Sequence, residues 1–179
     1  MANKVNKTKL EIENADIHFR NFEGKEGKFN PAGRRNFCVF LDDDIAKKLE
    51  KDGWNVKYLT PRDPEDKEQA YLQVAVSFDN YPPNIYLVSS TGKNRLTEDN
   101  VNILDFADLE NVDIIVTPYK WEVNGKTGTK AYLKTLYAVI EESDLDRKYL
   151  DTPDSGENTI GGCGNCDACD GGCHADQSL

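Results

Sequence analysis

Residues 71–78 alternate between apolar side chains and polar or small ones. Leu72, Val74, Val76 and Phe78 take every second position, which is the period of a β-strand with one face in the core. Similar short runs recur at 10–14, 17–22, 35–41, 54–59, 85–89, 112–123 and 129–140, separated by turns rich in glycine, proline or asparagine. Many short strands with such turns predict a mainly β sandwich or barrel.

Two stretches depart from this pattern and predict one or two short helices. The acidic triplet 42–44 precedes a helical pattern that Gly53 would stop. Such a triplet could hold a metal ion, but acids before a helix also cap it and complement its dipole, and we favour that interpretation. The second stretch is 97–109, in which Val101 and Leu104 fall roughly on one side.

The composition changes near residue 150. Beyond this point glycines and acids are frequent, and large apolar side chains are almost absent after Ile160. Such a segment buries too little apolar surface to offset the entropy lost on ordering. We therefore predict a folded domain over 1–150 and a disordered acidic tail over 151–179.

The net charge of −10 is unevenly distributed along the chain. Residues 141–179 hold ten acids and two bases, a net −8, which leaves −2 for residues 1–140. The nearly neutral body can still bind anions if its bases cluster. No apolar run approaches the roughly 18 residues of a membrane helix, so we expect a cytoplasmic protein without membrane contact.

The segment 18–37 interleaves basic and aromatic residues. Its bases are Arg20, Lys25, Lys28, Arg34 and Arg35, and its rings are Phe19, Phe22, Phe29 and Phe37. Single-stranded nucleic acid needs cations along its backbone and rings for its unstacked bases, and the glycines here predict a mobile loop that could present both. We expect Phe19 and Phe37 in the core, whereas Phe22 and Phe29 stay open between core and stacking.

A second candidate surface is the hairpin predicted over 112–140. If the apolar residues of 112–116 face the core, Tyr119 and Trp121 face outward. Asn124-Gly125 predicts a tight turn, although the five residues 124–128 allow more than one register. One natural register places Trp121 opposite Tyr132, Tyr119 near Lys134 and Val123 near Lys130. The alternative is a buried aromatic pair. The slip in alternation after Leu133 predicts a bulge.

Four of the five cysteines lie in the tail, at Cys163, Cys166, Cys169 and Cys173. Thiolates at this spacing can converge on zinc, and the run also resembles an iron–sulfur ligand pattern, although neither the usual proline nor a second cysteine set accompanies it. A reduced thiol tail without metal is the third interpretation. Cys38 stands alone among apolar neighbours, so we expect it to be buried.

Residues typical of catalysis are scarce. The chain has two histidines and no nucleophile elbow, zinc-protease helix or dinucleotide-binding glycine set. The tripeptide 125–127, Gly-Lys-Thr, resembles the end of a phosphate-binding loop, but position 120 is lysine instead of glycine and a strand pattern follows. We therefore expect that the protein is not an enzyme.

Several segments together resemble a family of phage-encoded single-stranded DNA-binding proteins over about residues 9–149. They are Phe19-Arg-Asn-Phe-Glu-Gly, Arg35-Asn-Phe-Cys-Val, Gly53-Trp-Asn-Val-Lys, Ala70-Tyr-Leu-Gln-Val and Lys126-Thr-Gly-Thr-Lys-Ala-Tyr-Leu. The resemblance implies an OB-like barrel whose acidic C-terminal tail contacts replication or recombination proteins and competes for the DNA groove. The tail here differs in its cysteines and in lacking a terminal aromatic residue.

We therefore expect a protein that coats single-stranded DNA with little sequence preference and requires no cofactor for it. Backbone contacts are predicted from Arg20, Lys28, Arg34, Arg35, Lys126, Lys130 and Lys134, and stacking from some of Phe22, Phe29, Tyr119, Trp121 and Tyr132. One alternative is a zinc or iron–sulfur accessory or redox protein that uses the tail cysteines. Another is a β domain whose aromatics bind a protein partner. Homo-oligomerisation is compatible with all three.

Overall fold

The computed structural model describes residues 5–6 and 9–145, and ten strands dominate this part of the chain. The strands are β1 Val5–Asn6, β2 Lys9–Ile12, β3 Asp16–Asn21, β4 Arg35–Leu41, β5 Val56–Leu59, β6 Gln69–Val76, β7 Asn84–Ser89, β8 Gly92–Leu96, β9 Leu109–Val123 and β10 Lys126–Ile140. One α-helix, α1 (Asp43–Lys51), and one 3₁₀ helix (Val101–Asp105) complete it. The mainly β prediction is confirmed.

The ten strands form one sheet whose main path is β1-β2-β9-β10-β6-β4-β3. Strand β5 pairs with β6, and the hairpin β7-β8 pairs with β10. Among the described residues, β1 and β3 end the path and do not pair with each other, so the hydrogen-bonded sheet does not close into a barrel.

Strands β6 and β10 each pair with two neighbours along one edge. Leu72 in β6 pairs with Val56 of β5, whereas Val74 pairs with Ala131 of β10. β10 in turn leaves β6 after Tyr132 and pairs with β7 from Thr135 onward. A register shift between Leu133 and Thr135 lies at this change and confirms the predicted bulge.

The core lies on the face of the sheet that carries the alternating apolar residues. Leu72, Val74 and Val76 are buried, as the pattern at 71–78 predicts. Helix α1 contributes Ala46 and Leu49 to the same cluster. At the predicted N-cap, Asp42 makes no side-chain hydrogen bond, while Asp43 and Asp44 occupy the first turn, where acids complement the helix dipole.

The predicted second helix is shorter than its pattern. Of residues 97–109, only Val101–Asp105 is helical, as a single 3₁₀ segment that buries Val101 and Leu104. Strand β8 was not predicted, because its sequence Gly-Lys-Asn-Arg-Leu has no apolar alternation. In the structure four of its five residues are exposed.

The 3₁₀ helix lies between β3 and the start of β9, two strands that do not pair with each other in the described residues. This separation is the β3–β9 gap. The Arg20 guanidinium donates from Nη1 to the carbonyl oxygens of Leu104 (3.0 Å) and Ala107 (2.8 Å). The Asp105 carboxylate accepts hydrogen bonds from the backbone N–H groups of Phe22 (2.6 Å) and Glu23 (3.0 Å). Arg20, predicted to contact a nucleic-acid backbone, therefore has a structural role, since its guanidinium fastens the 3₁₀ helix to β3.

Two further findings concern features predicted from the sequence. Cys38 is buried, as expected, and burial raises the pKa of its thiol. None of the helices described within residues 5–6 and 9–145 could span a membrane. Of the two parts predicted from the composition, the tail at 151–179 lies outside the described residues.

Candidate nucleic-acid interface

The site begins with the turn of the β9–β10 hairpin. Asn124 and Gly125 have φ angles of 51° and 75°, and this pair of positive values is typical of a two-residue type I′ turn. The turn pairs Val123 with Lys126 and therefore Trp121 with Gly128 and Tyr119 with Lys130. The register proposed from the sequence, with Trp121 opposite Tyr132, is wrong, because it needs a longer turn than the two residues observed.

The Trp121 indole lies against Gly128. A Cβ atom added to Gly128 would stand 2.6 Å from Cζ2 of Trp121, which is closer than side chains pack. A side chain at position 128 would therefore have to displace the indole. Trp121 still has 37% of its surface exposed, so its outer face is free.

The hairpin aromatics form a partly exposed group instead of a buried pair. The rings of Tyr119 and Tyr132 meet edge to face at 5.8 Å between centroids, and Tyr119 is 58% exposed. The Lys130 ammonium lies 5.1 Å from the centre of the Tyr132 ring. This group presents π faces and a cation side by side, which is the combination that binds unstacked bases.

The loop between β3 and β4 is held together by its own hydrogen bonds. Asn21 accepts at Oδ1 from the N–H groups of Gly24 and Lys25. Asn30 donates from Nδ2 to the Arg34 carbonyl at 2.7 Å. These bonds fix the direction in which the loop presents Phe29, which is 90% exposed with the Lys28 ammonium 5.3 Å from its ring centre.

The structure overturns the expectation for Phe19 and decides the question left open for Phe22. Phe22 is fully buried and stacked on Phe37 at 5.2 Å, so its ring is not available to a base and leaves the candidate site. Phe19, expected in the core, is 65% exposed. The cause is an irregularity in the β3–β4 pairing between His18 and Asn21, where Phe19 adopts φ 51° and the two-residue alternation is interrupted.

Strand register brings the loop and the hairpin together. Ala75 of β6 pairs with Asn36 of β4 on one edge and with Tyr132 of β10 on the other. These three residues form one row across the sheet, and the small side chain of Ala75 leaves a hollow between the outer two. The hollow is the floor of a cleft of about 510 Å³, the first cleft. Its lining includes Phe29, Arg34, Arg35, Trp121, Lys130 and Tyr132 from the sequence prediction.

The first cleft has a basic lining. Its charged residues are Arg34, Arg35 and Lys130 against one acid, Asp79. The Arg35 guanidinium bonds Glu98 through Nη1 at 2.9 Å and lies over the Phe78 ring at 5.3 Å. Its Nε is a buried donor without a hydrogen-bond partner in the described part of the chain.

A cleft of opposite character lies at the β3–β9 gap. Its volume is about 470 Å³, and its charged lining residues are Asp16, Asp108, Glu110 and Glu141 with Arg20. Four acids around one base that is already engaged repel a polyanion. Of the two clefts, only the first is electrostatically suited to phosphate.

The remaining predicted residues lie around the first cleft or beyond it. Tyr119 and Lys134 line a neighbouring cleft on the other side of Tyr132, and Lys126 is exposed next to the hairpin turn. Sequence reasoning missed the amides Asn36, Asn55 and Gln73 of the first cleft. It also missed Tyr81, which lines the neighbouring cleft and is 92% exposed.

No metal centre was found in the described residues. No group of three or more His, Cys, Asp or Glu side chains that could hold a metal ion occurs within 5–6 and 9–145. The candidate zinc or iron–sulfur ligands Cys163, Cys166, Cys169 and Cys173 lie outside this part of the chain.

Comparisons with known proteins show the family and the fold of the chain. A family model described as a putative phage ssDNA-binding domain matches residues 1–171. The solved single-stranded DNA-binding protein from bacteriophage Enc34 is 11% identical, with a TM-score of 0.51 over 79% of this chain and 89% of that chain. Its complex with ssDNA gives a TM-score of 0.53 at 11% identity, over 79% and 95%. This likeness shows an OB-like fold in common. No curated protein matches the chain.

Proposed function

The chain belongs to the family of putative phage single-stranded DNA-binding domains, and we propose that it coats single-stranded DNA with little sequence preference during replication or recombination. The observation that carries the proposal is the first cleft. There the β3–β4 loop and the β9–β10 hairpin face each other and bring Phe29, Trp121 and Tyr132 together with Arg34 and Lys130.

The chemistry of this cleft fits a single strand with little base preference. Every base has a π face, so stacking on Trp121 or Tyr132 tolerates any sequence. Arg34 and Lys130, which line the cleft, can neutralise phosphates. A duplex, by contrast, keeps its bases stacked on each other and offers no free base faces to these rings.

Binding of this kind is non-catalytic and requires no cofactor. The protein acts in the cytoplasm of the host cell, where phage DNA is copied. The domain boundary near residue 150 separates the DNA-binding body from a tail that contacts replication or recombination proteins. The tail's net negative charge supports this division, because an acidic segment can compete with DNA for a basic cleft.

A titration of the full-length protein tests the proposal. Labelled single- and double-stranded oligonucleotides are titrated across a range of salt concentrations, with anisotropy as the readout. We expect preferential binding of single strands that weakens linearly in log affinity against log salt. Trp121→Ala should lower this affinity about ten- to hundredfold, because one productive stack is worth about 1–3 kcal/mol.

Phe106→Ala is the matched control. Phe106 is 74% exposed but does not line the first cleft, so its loss should leave the affinity unchanged. Equal affinity for single strands and duplexes, or a Trp121→Ala protein that binds like the wild type, would contradict the proposal.

A further inference from the structure

The neighbouring cleft lined by Tyr119 and Lys134, the second cleft, lies across Tyr132 from the first cleft. Its volume is about 710 Å³, and its lining includes three tyrosines, two prolines and a leucine: Tyr81, Tyr119, Tyr132, Pro82, Pro118 and Leu133. The two clefts share Tyr132 and Ser77, so a bound chain can pass from one to the other without leaving the surface. Tyr81 is 92% exposed at its rim, so its ring is open to a ligand.

The second cleft has the charge that an anionic chain requires. Lys134 is its one charged lining residue. Asn84, at its far end, accepts a hydrogen bond at Oδ1 from Nη2 of Arg95 on β8 at 3.0 Å. Arg95 therefore places a further base next to this cleft, on the β7–β8 hairpin.

An aromatic pair with a lysine continues this surface. Tyr86 of β7 and Tyr137 of β10 are strand neighbours whose rings stack at 5.2 Å. The Lys93 ammonium lies 4.6 Å from the centre of the Tyr86 ring and 5.7 Å from that of Tyr137. This pair repeats, on the β7–β8 hairpin, the combination of ring and cation seen at Tyr132 and Lys130.

We propose that the bound single strand does not end in the first cleft but crosses Tyr132, places bases against Tyr119 and Tyr81 in the second cleft, and continues to Lys93. This inference rests on the proposed function and extends it by a second subsite. The occupant is the same DNA strand because the clefts are continuous and the second one has a cationic and no acidic lining residue.

The inference is tested with oligo-thymidines of increasing length on the full-length protein. A series of about 4–16 nucleotides covers the range that single OB folds occupy. Wild-type affinity should rise with length until the whole path is filled. Tyr81→Ala should bind the shortest oligonucleotides like the wild type and lose about tenfold or more on longer ones, since a base then lacks its ring. Lys93→Gln should lose affinity only for the longest oligonucleotides, and by a smaller factor than Tyr81→Ala.

Tyr58→Ala is the control, because Tyr58 is 43% exposed on β5 and lines neither cleft. Circular dichroism and thermal unfolding should be unchanged for all three variants. If Tyr81→Ala and Lys93→Gln bind every length as the wild type does, the second subsite is refuted while binding in the first cleft stands. If the wild type binds no oligonucleotide, the proposed function itself fails. A Tyr81→Ala protein that loses affinity equally at every length also contradicts the extended path.

Discussion

At the scale of single residues, Trp121 and Gly128 act as a unit. The indole occupies the space that a Cβ at position 128 would need. Gly128→Ala should therefore push the ring out of its orientation and weaken single-strand binding, by up to the 1–3 kcal/mol that a stack is worth. In a Trp121→Ala background the same substitution should have almost no effect, because no ring remains to be displaced. Affinities of the four proteins give this coupling.

Fluorescence supplies an independent measurement of the same pair. The chain has two tryptophans, and Trp54 is buried at 6% exposure. A change in emission on DNA binding should therefore come from Trp121 and be altered by Gly128→Ala. Additive losses of affinity from Gly128→Ala and Trp121→Ala would show that the glycine matters for the strand itself and not for the ring.

At the scale of elements, Arg20 connects β3 to the 3₁₀ helix where the sheet stays open. Its two bonds to carbonyl oxygens are charge-assisted, and such bonds contribute about 1.5–3 kcal/mol. Arg20→Met should lower the free energy of unfolding, measured by urea denaturation, by about this amount. It should leave the salt dependence of DNA binding unchanged, since the guanidinium is not directed at the first cleft.

Lys130→Gln is the opposite case. Lys130 is exposed and lines the first cleft, so its loss should barely change stability but reduce the slope of log affinity against log salt by about 1. A reduced slope for Arg20→Met would restore Arg20 to the DNA-binding set.

The same elements show what the sequence could and could not predict. Regular alternation identified β6 and the core side of β9, because a two-residue period is a local property. Phe19 was misjudged, and Phe22 was left undecided, because the irregularity in β3 interrupts that period. The hairpin register depends on whether the turn has two residues or more, and both φ angles had to be seen to decide it. The pairing of Ala75 with Asn36 and Tyr132 joins distant segments and has no local signal.

At the scale of the whole molecule, charge is segregated. The first cleft is basic, the cleft at the β3–β9 gap is acidic, and residues 141–179 carry −8 of the total −10. A protein of this acidity can approach DNA only if its negative parts lie away from the cleft or give way to the strand. A tail that competes with DNA fulfils the second condition, and salt should govern the competition because both interactions are ionic.

Truncation of residues 151–179 tests this competition. It removes six acids and no lysine or arginine, and the described core cluster lies entirely between Leu10 and Ala138. Affinity for single strands should rise at low salt, within the roughly 5–150-fold range of coupling free energies of 1–3 kcal/mol. The gain should shrink as salt rises, because the Debye length falls from about 30 Å at 0.01 M to about 3 Å at 1 M. A full-length variant with the six acids changed to Asn or Gln should match the truncation if charge is the cause. If the truncated protein gains affinity and the neutralised one does not, the tail acts through its bulk or its cysteines; if neither gains, the tail does not compete for the cleft.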